Sequence, residues 1–360
     1  MHISQLANGR WRVIVQVDNK RHSKTVDTQR EARKVGAQIQ LELGEQPDIT
    51  VATVGELIEQ HLELVADRVA DTTLENYRGI QRKIPDWLNA WRIDQVTTRK
   101  VEMAYRKLLD EGWSAHRVRT LHGMWRPAFS TAVRWDWLSS NPITEAHQPS
   151  EPYKELVPVS PADVVKIIMA AVAVNPELAT ALHLAAATGM RRGELIGLKW
   201  ADIDLDNGNL TVRRSITTTT ADAHGVRPTK TGKGGQRAIN LDDNVWAALR
   251  GHKARQSERL LGYGITGCEW VFTHDARDPW RADYMTLSFS RIRNELGLRH
   301  VHLHSLRHFS ATQLIGAGVD IVTVSHRLGH SRPSTTLDFY AAHMPARDAA
   351  AADIMGKLLG

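Results

Sequence analysis

Apolar and polar side chains interleave between Trp11 and Val17: Trp11, Val13, Val15 and Val17 alternate with Arg12, Ile14 and Gln16, the period-2 pattern of a strand. Asp18-Asn19 makes a turn, and a second strand runs through Lys24 to Val26. Thr28 and Glu31 form a capping box that opens a helix with Ala32, Val35 and Ile39 on one face. A small sheet-plus-helix module is therefore expected over residues 1–48. Gln46-Pro47-Asp48 ends it, and Thr53 with Glu56 caps a helix carrying Val54, Leu57, Ile58 and Val65 on one stripe. Helical patterns follow at about 72–90, 98–111 and 114–138. The last places Val118, Leu121, Trp125, Phe129 and Val133 at helical spacing and contains Pro127, where a kink is expected. The spacing predicts an all-helical domain over 49–142, whose tryptophans read as core rather than as base-stacking platforms.

Five prolines between 142 and 161 give residues 143–160 the composition of an extended linker. Ser160-Pro161-Ala162-Asp163 then caps a helix to about Val174, and Asn175-Pro176 opens another that ends at Gly189. Strand-like segments follow around 209–219, after the turn Asp206-Asn207-Gly208, and around 236–241, before the helical pattern returns. The expected fold class is α+β and multidomain. It comprises the N-terminal module, the helical domain, a mainly helical third domain over 161–345 with a small antiparallel sheet, and a tail over 346–360. The tail is Ala-rich and ends on Ile354, Met355, Leu358 and Leu359.

At 360 residues, 42% of them apolar, the chain is long enough to bury more than one core. No apolar run reaches the roughly 18 residues needed to cross a bilayer, and the polar start has no signal-peptide pattern, so neither a membrane nor a secreted protein is expected. The single cysteine, Cys268, makes neither an internal disulfide nor a cysteine zinc site, which points to the reducing cytoplasm. Residues 1–50 carry 8 Lys and Arg against 6 Asp and Glu, 51–153 carry 13 against 14, and 154–360 carry 25 against 20. A formal charge of +6 divided in this way suits a polyanionic partner only if the basic residues are patterned on a surface. Arg10, Arg12, Lys20, Arg21 and Lys24 gather on the N-terminal strands and turn, where a thin sheet fits a DNA groove; a solvated sheet edge is the plainer alternative.

Chemistry concentrates in the third domain, in five pieces: Thr188-Gly189-Met190-Arg191-Arg192-Gly193-Glu194-Leu195; Pro228-Thr229-Lys230-Thr231-Gly232-Lys233; His304-Ser305-Leu306-Arg307-His308; Leu328-Gly329-His330; and Tyr340. Each alone has a bland reading, such as a solvated arginine pair, a flexible turn or a core tyrosine. In this order and spacing they resemble the tyrosine recombinase (phage integrase) family. The resemblance runs along essentially the whole chain. The helical domain, with Thr72-Thr73 and Tyr77 near its start and Ala132 and Asn141-Pro142 near its end, is similar to the family's core-site DNA-binding domain. The N-terminal module is similar to the arm-site-binding domain of phage and integrative-element integrases. Gly193 departs from the family pattern, standing where a serine is frequent.

The resemblance implies a catalytic domain over 161–345 in which Tyr340 attacks a DNA phosphorus, forms a 3′-phosphotyrosine link and releases a 5′-hydroxyl, in the manner of a type IB topoisomerase. It implies Arg191 and Arg307 on the phosphate, Lys230 as general acid with Lys233 the alternative, His304 as acid/base partner, His330 as a donor to the phosphate, and Glu194 as the residue that orients arginine and histidine. Thr72, Tyr77, Arg78 and Arg82 join the basic residues of the N-terminal module as expected DNA contacts. Neither a cofactor nor a metal is expected, and the alternating His300, His302, His304 and His308 lack the cysteine or carboxylate partners of a zinc site. The partners implied are double-stranded DNA at core and arm-type sites, three further copies of the chain in a tetramer on DNA that the tail helps to tie together, and a host DNA-bending protein and an excision factor. The function implied is site-specific integration or excision of a mobile element or phage genome. A replicon-dimer resolvase of the same family and a catalytically silent DNA-binding regulator are the alternatives.

The residue types fit that chemistry independently. Attack on a phosphodiester adds charge to the non-bridging oxygens, and the planar guanidinium meets two of them at once without ever losing its proton. A tyrosine, with an ordinary pKa near 10, is about one part in a thousand ionised at pH 7, a deficit of about 4 kcal/mol that surrounding cations and a proton acceptor must cover. The covalent ester keeps the energy of the broken bond, so no ATP loop is needed, and no P-loop motif or two-metal carboxylate cluster occurs in the sequence.

Overall fold

The computed structural model describes residues 2–17, 20–42, 52–151, 158–218, 222, 225–228, 236–330, 332–340 and 355–359. At 16, 17, 20, 21, 37, 38, 40–42, 228, 335 and 338–340 it describes the backbone alone. The chain divides into two compact units, Met1–Tyr153 and Lys154–Gly360.

In the first unit, β1 (His2–Gln5), β2 (Trp11–Val17) and β3 (Lys20–Val26) form an antiparallel sheet in that order. Helix α1 (Gln29–Glu42) covers one face of it, burying Val13, Val15 and Ala32. The expected Thr28 capping box is present: the hydroxyl accepts from Glu31 N at 3.1 Å, and the Glu31 carboxylate accepts from Thr28 N at 3.3 Å. The helical part contains α2 (Val54–Leu64), α3 (Asp71–Gln81), α4 (Asp86–Asn89), α5 (Thr98–Asp110) and α6 (Ala115–Arg134). The pattern expected as one helix over 72–90 is two, because Pro85 cannot donate into a continuing ladder and serves instead as the N-cap of α4. Helix α6 continues through Pro127 and ends at Arg134 rather than 138, where Asp136 takes a left-handed φ of 60°. Trp125 and Phe129 are fully buried, and Trp87, Trp91, Trp113 and Trp137 pack against the same core, as the core reading of the tryptophans required. Asn141 folds the following segment back on α6, donating to Arg126 O at 2.8 Å, and Ile143 and Ala146 complete the core.

The second unit is built around α8 (Pro176–Thr188), whose composition is apolar on nearly every side. Asn175 caps it by accepting from Glu177 N and Leu178 N, Pro176 suits its first position, and Gly189 ends it with φ 66°. Helices α7 (Pro161–Val174), α10 (Asp243–Leu261) and α12 (Ser305–Gly316) surround α8, and the short α9 (Arg192–Ile196) follows it directly. The segment expected as one strand over 209–219 is two strands in different sheets. β5 (Asn209–Val212) lies between β4 (Ile203–Asp204) and β8 (Arg237–Asn240), whereas β6 (Arg214–Thr217) pairs with β7 (Gly225–Pro228), all antiparallel. Helices α11 (Ala282–Glu295), α13 (Ile321–Leu328) and α14 (Pro333–Tyr340) follow among the described residues of the unit. An aromatic cluster lies beneath α10, where His252 stacks on Phe272 at 5.3 Å and donates to Val271 O at 2.6 Å. Among the described residues no helix is long and apolar enough to cross a membrane.

Candidate active site

Two helix ends, about 140 residues apart in sequence, make the floor of the site. Gly189 ends α8 and Gly329 ends α13, both left-handed, with φ 66° and 71°. The turn at each glycine leaves its carbonyl to be taken by an arginine. Arg307, on the first turn of α12 and only 3% exposed, donates from one Nη1 to Gly189 O and Leu328 O, both at 2.7 Å. Arg191, half-buried at the N-cap of α9, donates to Gly329 O at 3.0 Å. The two arginines expected on the phosphate are thus brought to adjoining backbone segments.

Glu194 sits beneath Arg191. As the third residue of α9 it accepts from Arg191 N at 3.0 Å, and its other oxygen accepts from Arg191 Nη1 at 2.9 Å. Its side chain is 1% exposed, as is that of Arg237, which reaches it from β8 at 2.8 Å. Burial opposes ionisation of Glu194, but the hydrogen bonds and charge of Arg237, followed by those of Arg191, outweigh it and hold the carboxyl below its ordinary range. Arg237 was not among the residues expected from sequence. Its signal was there: strand alternation puts it on the buried face with Ile239, an inward position rarely given to an arginine without a partner.

His304 is the residue preceding α12, and its ring meets that of His308 edge to face at 4.8 Å. Arg293 holds the approach to this helix by donating to Val301 O at 2.6 Å. Although part of its surface reaches solvent, the protein packed round the His304 ring, with His308, Arg307 and Arg191, lowers its pKa to about 4. His330 follows Gly329, and its Nδ1 lies 2.8 Å from the hydroxyl of the fully buried Thr336 on α14. Burial, then Arg307, Arg191, His304 and Arg237, lowers its pKa to about 4 as well. Both imidazoles are therefore neutral at pH 7 in the absence of an anion, and each feels both arginines. Four of the expected residues thus share one electrostatic site with Glu194. Thr336, one helical turn before Tyr340, ties His330 to α14, which packs on α13. Tyr340 is the last residue of α14, and its side chain lies outside the described residues, as does Lys230 together with Lys233.

The departure at Gly193 has a local cause. A side chain there would run into Ser215 Oγ and come within 2.5 Å of Ile216 O on β6, so the strand occupies the space a serine would need. Among the described residues no group of three His, Cys, Asp or Glu is arranged to hold a metal.

The DNA contacts expected in the first unit are more dispersed. Thr72, Arg78 and Arg82 are exposed on or just after α3, while Tyr77 leans on the helical core. In the N-terminal sheet, Arg12 is exposed on the face away from α1, and the register sets Lys24 opposite Val13, on the other face. Arg10 is paired with Asp27 at 2.8 Å. The side chains of Lys20 and Arg21 lie outside the described residues.

Residues 159–347 match the model of the phage integrase family. The chain belongs to that family. It is 29% identical over 331 residues to a XerC-like tyrosine recombinase of Caldanaerobacter subterraneus subsp. tengcongensis, covering 86% of this chain and 84% of the relative. It is 25% identical to the ICEBs1 integrase of Bacillus subtilis over 370 residues, spanning the full length of both. In fold it is similar to the Tn1549 transposon integrase bound to a circular intermediate DNA, with a TM-score of 0.71, 21% identity, and coverage of 85% of this chain and 99% of that one. It is also similar to lambda integrase in a tetramer bound to a Holliday junction, with a TM-score of 0.64, 21% identity and 94% coverage of each chain.

Proposed function

We propose that this tyrosine recombinase is an integrase: it cuts and rejoins DNA at specific sites to insert or excise the element that encodes it. The observation that carries the reading is the convergence of Arg191, Arg307, His304 and His330 on one site, with Tyr340 ending a helix tied to His330 through Thr336. In the first step the Tyr340 oxygen attacks the scissile phosphorus, a phosphorus–oxygen bond forms, and the bond to the 5′-oxygen breaks. The phenolic proton passes to an acceptor, for which neutral His304 serves, and Lys230 protonates the departing 5′-oxygen. Arg191 and Arg307 hold the non-bridging oxygens, and His330 donates to one of them. Burial is the larger cause of the lowered pKa of both histidines, and arrival of the phosphate offsets the smaller contribution of the arginines, which makes His304 a better base than in the free protein. Rejoining is the reverse reaction with a new 5′-hydroxyl.

In this reading residues 1–48 grip accessory arm sites through Arg10, Arg12, Lys20, Arg21 and Lys24, while residues 49–142 and 161–345 take the core site, with Thr72, Tyr77, Arg78 and Arg82 on the helical side. A tetramer on two DNA partners, a cytoplasmic location, a host bending protein and an excision factor accompany it. The N-terminal module and the full-length similarity to the ICEBs1 integrase favour an integrase over a replicon-dimer resolvase. The test is a nicked duplex spanning an end of the element, which traps the cleaved intermediate by loss of the strand that would religate. The protein is expected to become covalently attached to a 3′ end, and Tyr340→Phe to form no adduct while still binding. Adduct formation by Tyr340→Phe would refute the assignment.

A further inference from the structure

We propose that Arg237 is a positioning residue for strand cleavage, locking Glu194, and through it Arg191, into the orientation that meets the scissile phosphate; the proposal rests on the recombinase reading. Its guanidinium joins its own strand, β8, to two other pieces of the second unit. From β8 it donates through Nη2 to one Glu194 oxygen at 2.8 Å and through Nη1 to the other at 3.3 Å, on α9. Through Nε it donates to Arg327 O, at the end of α13, at 2.6 Å. The same two Glu194 oxygens take the backbone and side-chain donors of Arg191, which closes the circuit on Gly329 O. Gly329 lies directly over the guanidinium: a Cβ there would stand 2.6 Å from Nη1 and 2.9 Å from Cζ.

Stability alone does not account for such an arrangement. A buried ion pair often contributes no more than a well-packed apolar pair of the same volume, so the fork is better explained by the geometry it imposes. Electrostatics points the same way. Arg191 and Glu194 alone would form a neutral pair with a weakened field at the phosphate, whereas two guanidiniums on one carboxylate leave the group net positive on the side that Arg191 faces. A lysine at 237 would restore the charge but could not reach both carboxylate oxygens and Arg327 O together.

The test is the single-turnover rate of adduct formation on the nicked duplex, measured across pH, together with DNA binding and melting temperature. Arg237→Gln is expected to cleave about 100-fold more slowly, the scale of a misplaced reacting group, and to bind DNA within about 3-fold of the parent. Its rate should also fall off at higher pH on the acid side, because Glu194 without Arg237 protonates more readily. Arg237→Lys should be intermediate in rate with a parent-like acid limb. Combining Arg237→Gln with Glu194→Gln should add little to the slower single variant, since both act along one path. Cleavage by Arg237→Gln within about 3-fold of the parent would overturn the proposal, and so would an unchanged acid limb with losses that multiply in the double variant. If Arg237→Gln does not fold, Arg237→Lys decides: a folded protein at least about 10-fold slower supports the proposal, and a parent rate overturns it. Adducts that persist in Tyr340→Phe would instead mark the failure of the recombinase reading.

Discussion

Replacing Gly193 by serine, the residue common in the family at this point, should destabilise this protein. The second residue of α9 rests on β6, and a Cβ there would press on Ser215 Oγ and stand 2.5 Å from Ile216 O. The hydroxyl of Ser215 can rotate away. The carbonyl of Ile216 cannot, because its residue is held in register against Val226 of β7. Overpacking of this kind costs about 1–3 kcal/mol, and serine regains about 0.5 kcal/mol over glycine within a helix. The net loss is about 0.5–2.5 kcal/mol. For a unit of this size that corresponds to a fall of about 5 °C in the melting temperature of the second unit. Differential scanning calorimetry of Gly193→Ser should show it, with the transition of the first unit unmoved. Adding Ser215→Ala removes only the yielding contact and should restore less than half of the loss. A Gly193→Ser protein melting at or above the parent temperature would show that β6 does not exclude the side chain, and the reasoning would be wrong.

Gly329→Ala should lose both a left-handed glycine, about 1–2 kcal/mol, and the space over Arg237, whereas Gly264→Ala has a similar φ of 73° but open surroundings and should lose only the first. Urea unfolding compares the two, and equal losses would remove the contact from the argument. Acidification should weaken the second unit between pH 6.5 and 4: burial holds His252 at about 4 in the folded state against an ordinary 6.5, so the unfolded chain takes up a proton first. The full effect by pH 4 is on the order of 3 kcal/mol. His252→Gln should be less stable at pH 7 yet show a shallower acid slope, and an unchanged slope would assign the acid sensitivity elsewhere.

What the sequence disclosed was local. The Thr53 capping box, the Asn175-Pro176 start and the glycine at 189 are written in a few adjacent residues, and the structure has them where the pattern put them. The motif residues Arg191, His304, Arg307 and His330 were equally legible, and they converge. What was hidden depended on distant partners. β1 carries only His2, Ile3, Ser4 and Gln5 and becomes a strand because β2 offers it an edge. The run from 209 to 219 is divided because β8 claims its first half and β7 its second. Arg237 was half legible: strand alternation marks it as an inward position beside Ile239, but nothing beside it in sequence announces its partner, a carboxylate 43 residues earlier.

The two glycine-ended helices also constrain how such a protein can be recombined with its relatives. Leu328 lies against Gly189 where a methyl group would collide with it, Arg327 reaches Ala187 O at 3.2 Å, and Arg307 grips a carbonyl from each helix end. A hybrid gene joined anywhere between about residues 200 and 320 would inherit one helix end from each parent. Its halves would have to fit to within a fraction of an ångström to leave the guanidiniums in place. Crossovers in the proline-rich stretch near residue 153 leave that seam intact, so the second unit can be exchanged whole without dividing the reaction centre between parents.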